Sequence, residues 1–233
     1  MKFLYVDRDH WLSNCVQAPC FNVIDKGMYL LNEIITQNVP LFVTCKLPED
    51  SKATRQYIED LDFVFVNRQL TFKGVINELY LGKSSEQFQF INEESQDFFS
   101  SLSCFANLFV HDRFNVDTRL PCEWSTKIKA HWISAPDSGK EVIIALNGSD
   151  IAGFIMYQNF LDFVAIDLVA VAPEYRGRKV GLQLLSNLQL KVRNNQMIVV
   201  GTQDSNFAAI KLYLEAGLKV INRKVVYHFY REG

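Results

Sequence analysis

Residues 163–192 constrain the fold more than any other stretch of this chain. Phe163-Val164-Ala165-Ile166-Asp167-Leu168-Val169-Ala170-Val171 is a nearly unbroken apolar strand, and Pro173 ends it because proline brings no N–H to a sheet ladder. A short loop follows, with two glycines (Gly177 and Gly181) and three cations (Arg176, Arg178 and Lys179). Val180, Leu184, Leu185, Leu188 and Val192 then recur on one face of a helix. Such a helix needs a sheet to pack on, and the flanking sequence supplies one. Glu141–Leu146, the turn at Asn147-Gly148 and Ile151–Tyr157 read as a hairpin, and Met197–Gly201 as a further strand. Asn206 is a plausible N-cap for a helix that runs to Ala216 and stops at Gly217, and Leu218–Ile221 with Val225–Tyr230 reads as a closing hairpin.

The first half is patterned more loosely. Val39–Cys45 predicts a strand, Pro48–Asp60 a helix, and Phe63–Val66 a returning strand followed by Leu70-Thr71-Phe72; Met28, Leu31, Ile34 and Ile35 have helical spacing between Gly27 and Gln37. From Ser84 to Phe99 the composition turns polar, which suggests a connection between two modules. Strand-rich segments with crossover helices predict an α+β (α/β) fold around a mixed sheet. Of 233 residues, 48% are hydrophobic, enough for a real core and too many for a disordered or fibrous chain. A net charge of −2 argues against a nucleic-acid partner, and no apolar run approaches the ~20 residues of a membrane helix. Charge follows too soon after Met1 for a signal peptide. Five scattered cysteines without a C-x-x-C, and four histidines without ligand spacing, predict reduced buried thiols, no metal site and a cytoplasmic setting.

Chemistry concentrates in two places. At a helix N-terminus the backbone N–H groups and the positive dipole end suit a phosphate, and Arg176, Arg178 and Lys179 add a local field. A solvated turn explains the same spacing slightly better. Downstream, Asn206 and Tyr213 lie seven residues apart, two helical turns, and so share a face. Each alone reads as a cap and a half-buried packing residue.

Taken in order, the two segments resemble the GNAT acyltransferase superfamily over roughly residues 105–233. Arg176-Gly177-Arg178-Lys179-Val180-Gly181 follows a strand ending Val171-Ala172-Pro173, as in that family's Q/R-x-x-G-x-G/A loop, with Lys179 where glycine is usual. The N-x-x-A-x-x-x-Y-x-x-x-G pattern is complete at Asn206, Ala209, Tyr213 and Gly217. His111-Asp112-Arg113-Phe114, Gly201-Thr202-Gln203 and Val226-Tyr227-His228-Phe229-Tyr230 look like the nucleotide-sugar branch, the TDP-fucosamine-type amine acetyltransferases.

The resemblance implies a mixed, largely antiparallel central sheet flanked by helices over residues 106–233, preceded by a smaller α/β module over residues 1–105. It implies acyl-CoA as cosubstrate, acetyl-CoA or 3-hydroxybutyryl-CoA, with no metal. The pantetheine arm would lie along Val169, Ala170 and Val171, and the pyrophosphate at Gly177, Arg178, Lys179, Val180, Gly181 and Leu182 with charge from Arg176 and Arg178. Asn206 would contact the pantetheine or stabilise the reacting region, and Tyr213 would act as general acid toward the departing sulfur. Asp167 is a weak candidate for the base, a bulge former being at least as good a description of it. Arg113 would grip a phosphate of the acceptor, or else form an ordinary ion pair. The implied reaction is transfer of an acyl group to the amine of a dTDP-type amino-deoxy-sugar for surface polysaccharide (O-antigen or capsule) assembly. Protein or small-amine acetylation, and non-catalytic CoA binding, are the alternatives. The aromatic-rich terminal strands suit either a homodimer seam or sugar stacking.

Overall fold

The computed structural model describes residues 4–24, 27–37, 39–76, 79, 88–93, 96–134, 139–193 and 195–232. The chain divides into two compact units. Unit 1 comprises Met1–Gln69, Val110–Lys129 and Arg223–Gly233; unit 2 comprises Leu70–Phe109 and Ala130–Asn222. This grouping differs from a consecutive division at 105/106, because later segments pack with the earliest ones.

In unit 1 the strands are β1 (Tyr5–Arg8), β2 (Cys20–Ile24), β3 (Tyr29–Leu30), β4 (Leu41–Pro48) and the end of β11 (Lys219–Arg231), in the order β3-β1-β2-β4-β11. β11 runs antiparallel to β4 from Lys224–Pro48 to Arg231–Leu41, which draws the C-terminus into this unit. Helices α1 (His10–Val16), α2 (Leu31–Ile35), α3 (Lys52–Glu59) and α5 (Arg113–Val116) belong here, with the first part of α6 (Glu123–Ser134). Period-two alternation gives the sheet two buried faces. Val43, Cys45, Tyr227 and Phe229 pack with Ile34, Ile35 and Ile58 on one. Phe42 packs with Leu12, Phe114, Trp124 and Ile128 on the other.

In unit 2 the order is β5-β10-β9-β8-β7-β6, with the later part of β5 (Val64–Val75), β6 Gln89–Glu93, β7 Lys140–Asn147, β8 Asp150–Asn159, β9 Phe163–Val171 and β10 Met197–Gln203. β6, β7, β8 and β9 are antiparallel neighbours, and β9 and β10 are paired in parallel. α7 (Val180–Lys191) and α8 (Phe207–Glu215) cover one face, and α4 (Gln96–Ser101), a 3-10 segment (Leu102–Leu108) and the end of α6 belong to the same unit. Leu184, Leu185 and Leu188 of α7 are fully buried, each contributing about 1.5–3 kcal/mol of apolar burial.

Several elements differ from their sequence-based expectation. The closing hairpin is one continuous strand, because residues 224–231 find their partner in β4 rather than in Leu218–Ile221. Phe63–Val66 and Leu70–Phe72 merge into β5. The helical spacing at Gly27–Gln37 yields the two-residue β3 and the short α2. The supposed connection at Ser84–Phe99 contributes β6, with Phe88 and Phe99 buried in unit 2; its residues 84–87 and 94–95 lie outside the described ones. Of the five thiols, Cys15, Cys20 and Cys45 are buried, but Cys104 and Cys122 are exposed.

Candidate functional site

β9 and β10 share register only from Phe163–Met197 to Ile166–Val200. Among the described residues no pairing joins the rest of β9 to β10, while on its other side β9 stays with β8 as far as Val171–Gly153. The main chain of Val169, Ala170 and Val171 therefore has one edge satisfied and one edge open. An open edge of this kind accepts an extended ligand as an added strand. Asp167 stands where the two registers part. The β8–β9 ladder shifts between Met156 and Tyr157, leaving Asp167 as the extra residue between Ile166 and Leu168, and such a bulge bends and twists its strand. Its Oδ2 lies 3.3 Å from Lys140 Nζ, an ion pair with little solvent on either side.

The loop that follows combines a 3-10 turn (Pro173–Tyr175), an extended Arg176 and two left-handed residues. Gly177 has φ +79°, the conformation for which glycine is chosen. Lys179, at the N-cap of α7, has φ +61°, and a residue with a Cβ adopts that region at a cost of about 1–2 kcal/mol. No side chain caps α7; its ladder opens with the Gln183 amide donating to Lys179 O at 3.1 Å. The amides of Val180, Gly181 and Leu182 thus stand at an uncapped, dipole-positive helix end. Arg176, Gly177, Arg178 and Lys179 around it are all exposed. Arg176 Nε donates to Val171 O at 3.3 Å, and the Arg178 guanidinium lies 5.3 Å from the centre of the Tyr175 ring. Gly181 also meets α8: a Cβ there would approach Leu212 Cδ2 at 3.0 Å, so its lack of a side chain lets α7 and α8 pack closely while its amide still faces the helix end.

Asn206 caps α8, its Oδ1 accepting from the Ala209 amide at 3.2 Å, which leaves only its Nδ2 for a ligand. Tyr213 is 4% exposed, with its ring 5.4 Å from that of Phe72; its carbonyl accepts from the Leu218 amide at 2.9 Å, while its hydroxyl makes no hydrogen bond among the described residues. Burial pushes its phenol above the usual tyrosine range, so it stays protonated and acts as a donor. Unit 2 thus brings together the open edge, the loop, the α7 terminus, Asn206 and Tyr213. It does not include Arg113, which is in unit 1 with its guanidinium 4.5 Å from the centre of the Phe114 ring. Asp112 of the same motif caps α5, accepting from the amides of Phe114 (2.7 Å) and Asn115 (3.2 Å).

Sequence reasoning passed over three titratable groups of unit 1 that are buried or half-buried. Lys46 interrupts an apolar strand, Lys129 lies on α6 with 7% exposure, and His228 Nδ1 is 2.8 Å from Asp117 Oδ2. A lysine inside the run Phe42–Leu47 was the one local signal available. Among the described residues no group of three or more His, Cys, Asp or Glu is placed to hold a metal.

Residues 105–218 match the model of the Acetyltransferase (GNAT) family. The chain is 26% identical over 126 residues to the spore coat polysaccharide biosynthesis protein SpsD of Bacillus subtilis (strain 168), covering 52% of this chain and 44% of that protein. It therefore spans less than half the length of that relative. Among solved structures it is similar to a conserved protein of unknown function from Staphylococcus epidermidis (TM-score 0.64, 15% identity, 92% of this chain and 85% of the other). It is also similar to a GCN5-related N-acetyltransferase from Sphaerobacter thermophilus (TM-score 0.63, 13% identity, 99% and 78%).

Proposed function

We propose that this chain, which carries a GNAT-family acetyltransferase domain in residues 105–218, transfers an acyl group from acyl-CoA to the amine of a nucleotide-linked amino-deoxy-sugar. The observation that carries the acyl-CoA half is the open β9 edge at Val169–Val171, leading straight into the uncapped N-terminus of α7 with Arg176, Arg178 and Lys179 around it. A pantetheine amide can extend the sheet there, and a diphosphate can take the free amides of Val180–Leu182. The residues present therefore fit the cosubstrate. When bound, acyl-CoA supplies an acyl group activated as a thioester, acetyl or a larger one such as 3-hydroxybutyryl.

This chain's own residues do the rest. Arg176 leaves Val171 O and, with Arg178, neutralises diphosphate charge. Asn206 uses its Nδ2 on the pantetheine while its Oδ1 holds the helix. The acceptor amine, uncharged, attacks the carbonyl carbon; the C–N bond forms, the C–S bond breaks, and Tyr213 donates a hydrogen bond to the departing sulfur. A free thiol has pKa ~8.5, well below the raised phenol of Tyr213, so stabilisation of the thiolate rather than full proton transfer is its role. Asp167, engaged by Lys140, is the weaker part of this reading as base, and a water chain can serve instead.

The sugar half is supported by the likeness to SpsD, whose name places it in polysaccharide biosynthesis, and by the His111–Phe114 and Val226–Tyr230 segments. The corresponding setting is cytoplasmic assembly of a surface polysaccharide by a soluble enzyme, with the aromatic C-terminal strand as a candidate homodimer seam. A thiol-release assay across acyl-CoAs and TDP- and UDP-linked amino sugars tests the reading; turnover confined to peptides or polyamines defeats it. Tyr213→Phe should lower kcat by about 100-fold and leave CoA affinity unchanged; full retained activity removes Tyr213 from the mechanism.

A further inference from the structure

Asp167 stands at a switch in β9. An uninterrupted strand would put Val164, Ile166, Leu168 and Ala170 on one face. Instead Val164 and Ile166 pack with Leu184, Leu185 and Leu188 of α7, while Leu168 and Ala170 pack with Phe105 and Ile133 on the other side of the sheet. The extra residue that makes the change is Asp167. The register with β10 ends beside it, at Ile166–Val200. A bulge re-aims the side chain it carries, so a carboxylate is set where β9 and β10 part.

Lys140 reaches that carboxylate from two strands away. It opens β7 opposite Gln158 of β8, which is opposite Ala165 of β9, and its Nζ lies 3.3 Å from Asp167 Oδ2. The two ends of the pair are unequal. The lysine side chain is 7% exposed and the aspartate 20%, so the ammonium lies behind and the carboxylate keeps access to solvent. Trp132, half-buried on α6, backs the ammonium with its ring centre 5.3 Å from Nζ. Other titratable groups stand on the surrounding elements. Glu141 of β7 accepts from Tyr157 of β8 at 2.8 Å, and Asp150, at the far end of β8, accepts from Tyr175 at 3.1 Å. His131 of α6 and Cys104 of the 3-10 segment are exposed, and β10 carries no titratable side chain. All of these residues belong to unit 2. A pair so shielded adds little stability over apolar groups of the same volume, because both partners lose hydration. What the lysine changes is the carboxylate, which an ammonium at this distance keeps ionised.

We propose that Lys140 is a positioning residue, which holds Asp167 ionised and aimed at the gap between β9 and β10, where the acceptor amine meets the thioester. Its part in the reaction rests on the acyl-transfer reading; the pinning of Asp167 does not. As the C–N bond forms, the attacking nitrogen passes its proton to Asp167, and the carboxyl releases it to solvent once the thiolate has left. A pinned carboxylate is a weak base. Its advantage is to be ionised at every working pH and fixed in one place, so the amine meets an acceptor already oriented. Lys140 itself touches neither substrate.

The test follows the Asp167 carboxyl by carbon NMR through a pH titration of the full chain, beside kinetics with acetyl-CoA and TDP- and UDP-linked amino sugars. In Lys140→Met the carboxyl midpoint should rise by about one pH unit or more, and Lys140→Arg should return it to the parent value. Lys140→Met should lower kcat by about tenfold or more and leave the KM for acetyl-CoA unchanged. The acid limb of its pH profile should move up with the carboxyl, and Lys140→Arg should restore both. In an Asp167→Asn background Lys140→Met should cost no further activity, whereas a merely structural lysine would cost the same in either background. Where Lys140→Met fails to fold, Lys140→Gln carries the same comparison. An unchanged midpoint overturns the pinning. A shifted midpoint with kcat and the acid limb unchanged overturns its part in the reaction. A parent that releases no thiol on any acceptor, while Asp167 shifts as expected, defeats the acyl-transfer reading and leaves the pinning in place.

Discussion

The 176–179 loop of unit 2 and the Lys46–Arg113–Lys129 group of unit 1 each gather three cations, in opposite surroundings. The loop cations are exposed, next to free amides at a helix end. The others lie against a sheet face among aromatic rings, with their ammonium and guanidinium groups destabilised by burial. Exposed charge costs a fold little and gives modest, salt-sensitive affinity. Buried charge weighs on the fold itself, so its effects should register in stability before they register in binding. Unit 1 should therefore respond to pH and unit 2 to ionic strength.

The largest expected effect is acid sensitivity centred on unit 1. Burial, only partly opposed by Asp117, holds the His228 imidazole down to about 4. In the unfolded chain it titrates near 6.5. Between those values the unfolded state binds a proton that the folded state does not, so stability falls as pH drops from about 6.5 to 4, by roughly 3 kcal/mol. Urea unfolding across that range should show the slope, and His228→Phe should flatten it. An unchanged slope in the variant would break the contrast. Next in size, Arg176→Ala/Arg178→Ala should weaken CoA binding by about tenfold and reduce its salt dependence, with melting unchanged. A clear fall in melting temperature would show that the loop cations are structural after all. The smallest effect sharpens the comparison within the loop. Lys179→Gly relieves left-handed strain of about 1–2 kcal/mol and gives back roughly 0.5–1 in backbone entropy. Stability should therefore rise by about 1 kcal/mol or less, while CoA affinity falls about twofold with the lost charge.

How legible each region was follows from where its residues lie in the chain. β9 matches its sequence-based limits, Phe163–Val171, because an unbroken apolar run ending before a proline leaves little choice. Asn206 caps α8 as its position suggests, and the loop, α7 and α8 form one contiguous stretch whose local chemistry carries the pattern. An α+β fold around a mixed sheet was legible from the alternation of strand and helix signals, and the largely antiparallel order of that sheet came only through the family resemblance. What was not legible is long-range. Lys46, Arg113 and Lys129 are separated by tens of residues and meet only because α5 and α6 return to the face of β4. The single strand β11 was read as a hairpin since nothing in residues 218–230 reveals that their C-terminal part pairs with β4. The packing of Gly181 against Leu212 was equally hidden, because the two lie about thirty residues apart.

The register of β11 against β4 also sets a timetable. Leu41–Pro48 receives its antiparallel partner from Lys224–Arg231, about 180 residues further along the chain. At synthesis rates of about 5–20 residues per second, the N-terminal strand waits some 10–40 seconds for that neighbour. Through that interval the edge of β4 is exposed to wrong pairings, while every strand that unit 2 alone contains has already been translated. Removing Lys219–Arg231 would make the wait permanent, and the damage would surface about 180 residues upstream, around β4.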